Sequence, residues 1–168
     1  GILASREMFE RWFAAFRARQ AFEAWTERGA WITAHPDALS PGIEARFRVG
    51  EMIDSDAARA ALDELARART HILDALADRI LIAPTAYDAA PLIGSSDATH
   101  RDGTLRLGAA AAIAGLPALS APLLRIDGLP LGITLFAAPG RERALIEAAI
   151  ALDRRSAQGS AERSAEQK

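Results

Sequence analysis

"GLPALSAPLLRIDGLPLGITLFAAPGRE", residues 115–142, carries Gly-Leu-Pro twice, thirteen residues apart, each time ahead of a short apolar run. Each glycine breaks an element and each proline starts the chain in an extended direction. The runs "ALSAPLL" and "LGITLFA" are therefore predicted strands, and the Asp127-Gly128 pair between them is a turn signal. The triplets sit in different contexts, the first after a helical segment and the second after a turn, so they do not mark a solenoid-like repeat. A hairpin in some unrelated fold is the competing interpretation.

Working outward, "GRERALIEAAIALDRR" from Gly140 places Leu145, Ile146, Ala149, Ile150 and Leu152 at helical spacing. The polar residues 154–168 that follow are expected to be a disordered tail. Upstream, an alanine-rich short helix is expected ahead of Gly115. Before it, "AYDAAPLIGSSDATHRDGT", residues 86–104, contains Pro91, Gly94 and Gly103 and is expected to be a long polar connection. Loops of this length in a compact domain are usually functional or mobile. "ILIAPT", residues 80–85, is a continuous apolar run ended by proline, as in a strand buried on both faces.

The first 79 residues are predicted to be a helical region covering the sheet that residues 80–153 contribute to. Phe9, Trp12, Phe13 and Phe16 recur at spacings of three and four along residues 4–29, as in the core-facing stripe of an amphipathic helix with Gly29 as its stop. A loop from His35 leads to a second helix near Ile43, which Gly50 would interrupt. A long third helix follows, with Asp54, Ser55 and Asp56 as candidate caps and Leu62, Leu65, Ile72, Leu73 and Leu76 along one side.

Composition narrows the function classes. Half of the 168 residues are hydrophobic and a quarter charged, as in a globular protein with a packed core. The net charge of -2 gives no general attraction to nucleic acid or to an anionic membrane. Cysteine is absent, which excludes disulfides, zinc–thiolate sites and a cysteine nucleophile. A cytoplasmic location fits this inventory. No apolar run reaches the roughly 20 residues a membrane helix needs. Starting with Gly rather than Met, the chain is expected to be processed, tagged or cut from something longer. Nineteen of the twenty basic residues are arginine, and the one lysine, Lys168, ends the polar tail. A mechanism that needs a buried neutral lysine is therefore not completed by this chain.

Local motifs carry little chemistry. Ser95 or Ser96, His100, and Asp97 or Asp102 supply the residue types of a nucleophile, base and orienting acid, but without the strand-turn-helix setting of a nucleophile elbow. His35, His71 and His100 lack metal-ligand spacing, so neither metal nor cofactor is expected. Tyr87, His100 and Arg106 flank the long connection and are the candidate substrate-binding residues.

The arrangement of the C-terminal half is more specific. Pro84-Thr85, Ala90-Pro91, Gly115 to Ala118, Ser120 to Pro122, Gly128 to Gly132 and Gly140 to Glu142 follow one another in an order and spacing that resemble the C-terminal part of the amidase signature family. The resemblance covers residues 80–153 well and the N-terminal helices loosely. It implies an α/β fold, the C-terminal portion of an α/β/α sandwich with a mixed central sheet, incomplete on its own, in which the two Gly-Leu-Pro triplets start adjacent strands. It also implies hydrolysis of a small carboxamide or acyl-amide through a serine acyl-enzyme, with a second serine in a cis peptide and a lysine base. Those groups belong to the family's N-terminal half, so no catalytic residue is carried over and this chain alone is expected to be inactive. One departure from the pattern precedes Gly115, where only Arg106 of an Arg-aromatic-Thr-x-Pro-x-Asn motif is kept. The implied partners are a small-molecule amide, the N-terminal catalytic half of the same protein and, as a possible arrangement, a homodimer. The alternative from another class is a non-catalytic, amidase-like binding or assembly partner.

Overall fold

The computed structural model describes residues 3–95 and 98–166, with side chains described as far as residue 156. The elements are α1 (Arg6–Ala34), α2 (Pro41–Glu51), α3 (Ser55–Leu76), β1 (Leu81–Pro84), α4 (Ala98–Ala114), β2 (Ala118–Ile126), β3 (Leu129–Phe136) and α5 (Glu142–Glu166). The chain divides into two compact units, residues 1–72 and 73–168, with the division inside α3. Among the described residues, no helix is long and apolar enough to cross a membrane.

In the first unit, α1 begins at a Ser5 cap, whose Oγ accepts from the Met8 N–H at 3.2 Å. Trp12 and Phe13 of the aromatic stripe are buried, and the Phe9 and Phe13 rings stack at 6.4 Å. Gly29 does not stop the helix. It lies buried within α1, where a Cβ would come within 2.6 Å of the Trp25 ring. The glycine makes room for a tryptophan one turn back, and the helix runs on to Ala34. Gly50 likewise does not break α2: it sits in the last turn, and a Cβ there would meet the carbonyl oxygen of Ala21 at 2.0 Å. The α1 and α2 backbones approach each other at this point because position 50 has no side chain.

Beside that contact, the Arg48 guanidinium lies 5.4 Å from the Trp25 ring centre. Hydrogen bonds that Arg48 donates to Glu44 first and to Glu51 second hold its pKa above the ordinary arginine value. α3 starts where expected, with Asp54 Oδ1 accepting from the Ala57 N–H at 2.8 Å. Its buried side is narrower than the leucine pattern implies. Ala58, Ala61, Ala68, Ile72 and Leu76 are buried, whereas Leu62 is 48% exposed. Alanine, which the hydrophobic pattern undervalues, supplies most of that stripe.

The second unit is organised by a three-stranded sheet of order β1-β3-β2, all antiparallel. β2 and β3 form the expected hairpin. Asp127 and Gly128 have φ of 50° and 81°, the two positive values that a two-residue type I′ turn requires. The first Gly-Leu-Pro has another task. Gly115, at φ 65°, ends α4 in the left-handed conformation, and the Leu116 N–H reaches back to the Ala111 carbonyl at 3.0 Å, a Schellman closure. Pro117 then releases the chain into β2. Within β2 the register shifts between Ala121 and Leu124, so that Pro122 and Leu123 together stand opposite Gly132. Proline is tolerated there because an edge bulge asks for no ladder donor.

β1 differs from its expected burial on both faces. Its residues alternate between half-buried and exposed, and Ile82 is 51% exposed, so one face of this strand is not covered. Leu135, Ala137 and Leu145 form the buried centre of the α5 side of the sheet, with Ile80, Leu119, Ile133, Ala148 and Leu152 packed around it. Ile146 and Ile150 of α5 face outward. α4 begins six residues earlier than the end of the expected 86–104 connection, so His100 and Arg106 are helical. α5 continues through residues 154–166, which the sequence assigns to the polar tail. Lys168 lies outside the described residues.

Substitution of Gly50 by Ala forces a methyl group into backbone that cannot turn aside, and overpacking of this kind costs about 1–3 kcal/mol. Thermal unfolding should show a clear loss for Gly50→Ala and none for Gly42→Ala, whose Cβ would meet nothing within 4 Å.

Candidate functional site

The connection between β1 and α4 leaves the sheet at Thr85, whose N–H donates to the Gly132 carbonyl at 2.8 Å, and folds back over the first turns of α4. The Tyr87 N–H donates to Thr104 Oγ1 at 3.1 Å. Its ring lies on Gly103, where a Cβ would come within 2.3 Å of Tyr87 Cδ2. A glycine inside α4 thus permits the Tyr87 side chain to pack close against the helix. Nε2 of His100 donates to the Asp88 carbonyl at 3.3 Å, fixing the same loop one residue further on.

An open cleft of about 410 Å³ results, lined by Tyr87, Ala98, Thr99, Asp102, Gly103 and Arg106. Asp102 and Arg106 are one helical turn apart, and Arg106 Nε donates to Asp102 Oδ2 at 2.8 Å. Two of the three candidate binding residues, Tyr87 and Arg106, therefore share one cleft. His100 is not among its lining residues and serves instead to hold the loop.

Of the other sequence candidates, only Asp102 lies in this cleft among the described residues. Ser95 Oγ donates to the Leu92 carbonyl at 2.7 Å and closes a turn, and Asp102 accepts from Arg106. Ser96 and Asp97 lie outside the described residues. His71 has its ring 5.2 Å from that of Trp12 and donates from Nε2 to the Leu3 carbonyl at 3.2 Å. His35 stacks on Trp31 at 4.6 Å just past the end of α1. Among the described residues, no group of three or more His, Asp or Glu side chains could hold a metal ion.

One polar cluster escaped the sequence reading. Thr85 Oγ1 lies 2.8 Å from Ser120 Oγ and 2.8 Å from Thr134 Oγ1, so hydroxyls from the end of β1, from β2 and from β3 form a chain on one sheet face. Gly132 makes the space for it, since a Cβ there would meet Thr85 Oγ1 at 2.6 Å. The available signal was the strand period of two: Ser120 and Thr134 are register partners and share that face.

No protein-family model matches the sequence, and no curated protein matches it. Solved structures do. A crystal structure of an amidase superposes with a TM-score of 0.81 over 88% of this chain and 36% of its own, at 21% identity. The α/β fold is thus similar to part of that enzyme's. A bacterial aryl acylamidase of the amidase signature family superposes at 0.65, with 17% identity over 87% of this chain and 34% of its own. A structure described as a vestigial protein complex that reveals the origins of an s-triazine catabolic enzyme gives 0.77, with 24% identity over 86% and 34%. The chain thus spans about a third of the length of the amidase-fold structures it resembles.

The hydroxyl chain gives a stability test. Thr85→Val removes the central hydroxyl and leaves Thr134, only 9% exposed, without that partner. Leaving a buried hydroxyl unsatisfied costs about 1–3 kcal/mol. Denaturant unfolding should register that loss for Thr85→Val and a smaller one for Ser120→Ala, at the exposed end of the chain.

Proposed function

We propose that residues 1–168 form the C-terminal part of an amidase-type hydrolase that cleaves the C–N bond of a small carboxamide or acyl-amide through a serine acyl-enzyme. The observation that carries this reading is the likeness of fold to an amidase over 88% of the chain. The order of the Pro-Thr, Ser-x-Pro and Gly-Leu-Pro motifs, each falling at a strand end, bulge or strand start, supports it.

In this account the nucleophile and its base lie upstream, in the N-terminal catalytic half. A serine oxygen attacks the amide carbon, the C–N bond breaks as the leaving nitrogen takes a proton, and water then hydrolyses the acyl ester. The present chain contributes three strands, their covering helices and one wall of the substrate pocket. Tyr87 offers a flat face and Arg106 N–H donors beside it, while His100 braces the loop through the Asp88 carbonyl. The acyl group then rests against residues of this chain, and the reacting carbon points toward the upstream half.

The test uses the native polypeptide that contains this segment. Incubation with benzamide and short aliphatic amides should release ammonia, and acid quenching should trap a protein whose mass has risen by the acyl group. Arg106→Ala should lower kcat/KM about 10- to 100-fold, mainly through KM, as expected when a charge-assisted hydrogen bond worth about 1.5–3 kcal/mol is removed. Unchanged KM and kcat would remove Arg106 from the site. A polypeptide that forms no adduct and is recovered in a stoichiometric complex would instead have the non-catalytic assembly role.

A further inference from the structure

Resting on the part of that reading that puts an upstream half in the same polypeptide, we infer that the turn of residues 92–95 is a docking knob, with Leu92 and Ile93 seated in an apolar pocket of the upstream half. The turn is closed by two hydrogen bonds, since the Ser95 N–H and Oγ both donate to the Leu92 carbonyl, at 3.0 and 2.7 Å. Gly94, at φ 85°, supplies the positive angle that the third position of a type II turn requires. At the tip Leu92 is 84% exposed and Ile93 106%, so the rest of residues 1–168 covers almost nothing of either side chain.

An exposed aliphatic residue is ordinary where it stands singly among charges, as Val49 does beside Arg48 and Ile146 beside Glu147. The knob differs. From Ile80 to Ser95 the chain has one charged side chain, Asp88, whose Oδ1 accepts from the Ala89 N–H at 2.7 Å. Apolar groups in a stretch depleted of charge have the composition of an interface core. The same segment begins in β1, where Ile82 is half exposed and the edge away from β3 has no strand beside it among the described residues. An open strand edge and an apolar tip are liabilities in a free chain and ordinary features under a neighbour.

Two occupants compete for the knob, a second copy of the chain and the upstream half. At about 200 Å² for a large side chain the tip offers less than about 400 Å², whereas each partner in a stable dimer buries roughly 800 Å². A knob of this size does not hold two copies together by itself, but it fits as one corner of a larger, permanent contact. The chain spans 36% of the length of the amidase it resembles, so a complete fold of that kind has most of its chain outside these residues. The upstream half is the occupant that such a fold always has at hand.

Residues 1–168 contain no cysteine, so Ile93→Cys places one thiol of this segment at the tip, and Leu92→Cys serves as a second reporter. In the native polypeptide, purified as a monomer, maleimide labelling of each reporter is followed by peptide mass in buffer and in urea. Labelling should be at least about threefold slower in buffer, with a ratio that holds over an about tenfold range of protein concentration. Because the rest of residues 1–168 leaves position 93 open, protection in a monomer comes from chain outside them. Labelling of both reporters in buffer within about threefold of that in urea would overturn the inference, and so would protection that rises with concentration, the signature of a second copy. The readout does not depend on turnover. A polypeptide that forms no acyl adduct yet protects position 93 loses the amidase reading and keeps the interface, and one that forms the adduct with position 93 open loses the interface alone.

Discussion

Pairing on both sides of β3 is the constraint on which the unit of residues 73–168 depends. β1 and β2 each pair with β3 and not with each other, so their relative register exists only through it. Because side chains alternate, a slip of one residue along β3 would send Leu135 and Ile133 away from α5 and bring Phe136 and Thr134 toward it. The type I′ turn at Asp127-Gly128 prevents such a slip on the β2 side. On the β1 side the bond from the Thr85 N–H to the Gly132 carbonyl extends the ladder one step past the strand. The loop that carries Tyr87 starts from that bond, so the position of the cleft is inherited from the register of β3.

Small residues do comparable work among the helices. Gly29, Gly50 and Gly103 each sit inside a helix, where glycine lowers intrinsic stability, and each allows an approach that a methyl group would block. Two of the three admit an aromatic ring, Trp25 at Gly29 and Tyr87 at Gly103, and Gly50 admits the backbone of α1. Along α3 the alanines at 58, 61 and 68 are buried in the same spirit. Such contacts give little hydrophobic area per residue but draw elements close together.

This division explains what was legible in the sequence. The hairpin, its turn, the Asp54 cap and the burial of Trp12 and Phe13 are local or periodic, and they could be read from residue order. Gly29 and Gly50 were misread because a glycine that ends a helix and one that admits a neighbour are identical until the neighbour is known. The start of α4 was hidden because Thr99, His100, Asp102 and Gly103 have the composition of a loop. The Asp102 and Arg106 spacing was the one helical cue among them. Tyr87, His100 and Arg106 were chosen for their place beside a long connection; Tyr87 and Arg106 line one cleft, and His100 bonds the loop at Asp88. Thr85, Ser120 and Thr134 each stand as a single polar residue in an apolar run, and only strand pairing brings them together.

That hydroxyl chain has a direction. Thr85 has one proton and stands between two oxygens, so it donates to at most one neighbour and accepts from the other. If the protons run outward from Thr134, Ser120 is left with its own hydrogen to offer to solvent. If they run inward, Ser120 spends that hydrogen on Thr85 and turns lone pairs outward. Whether the surface at Ser120 is a donor or an acceptor is thereby tied to the rotation of a buried threonine on the neighbouring strand.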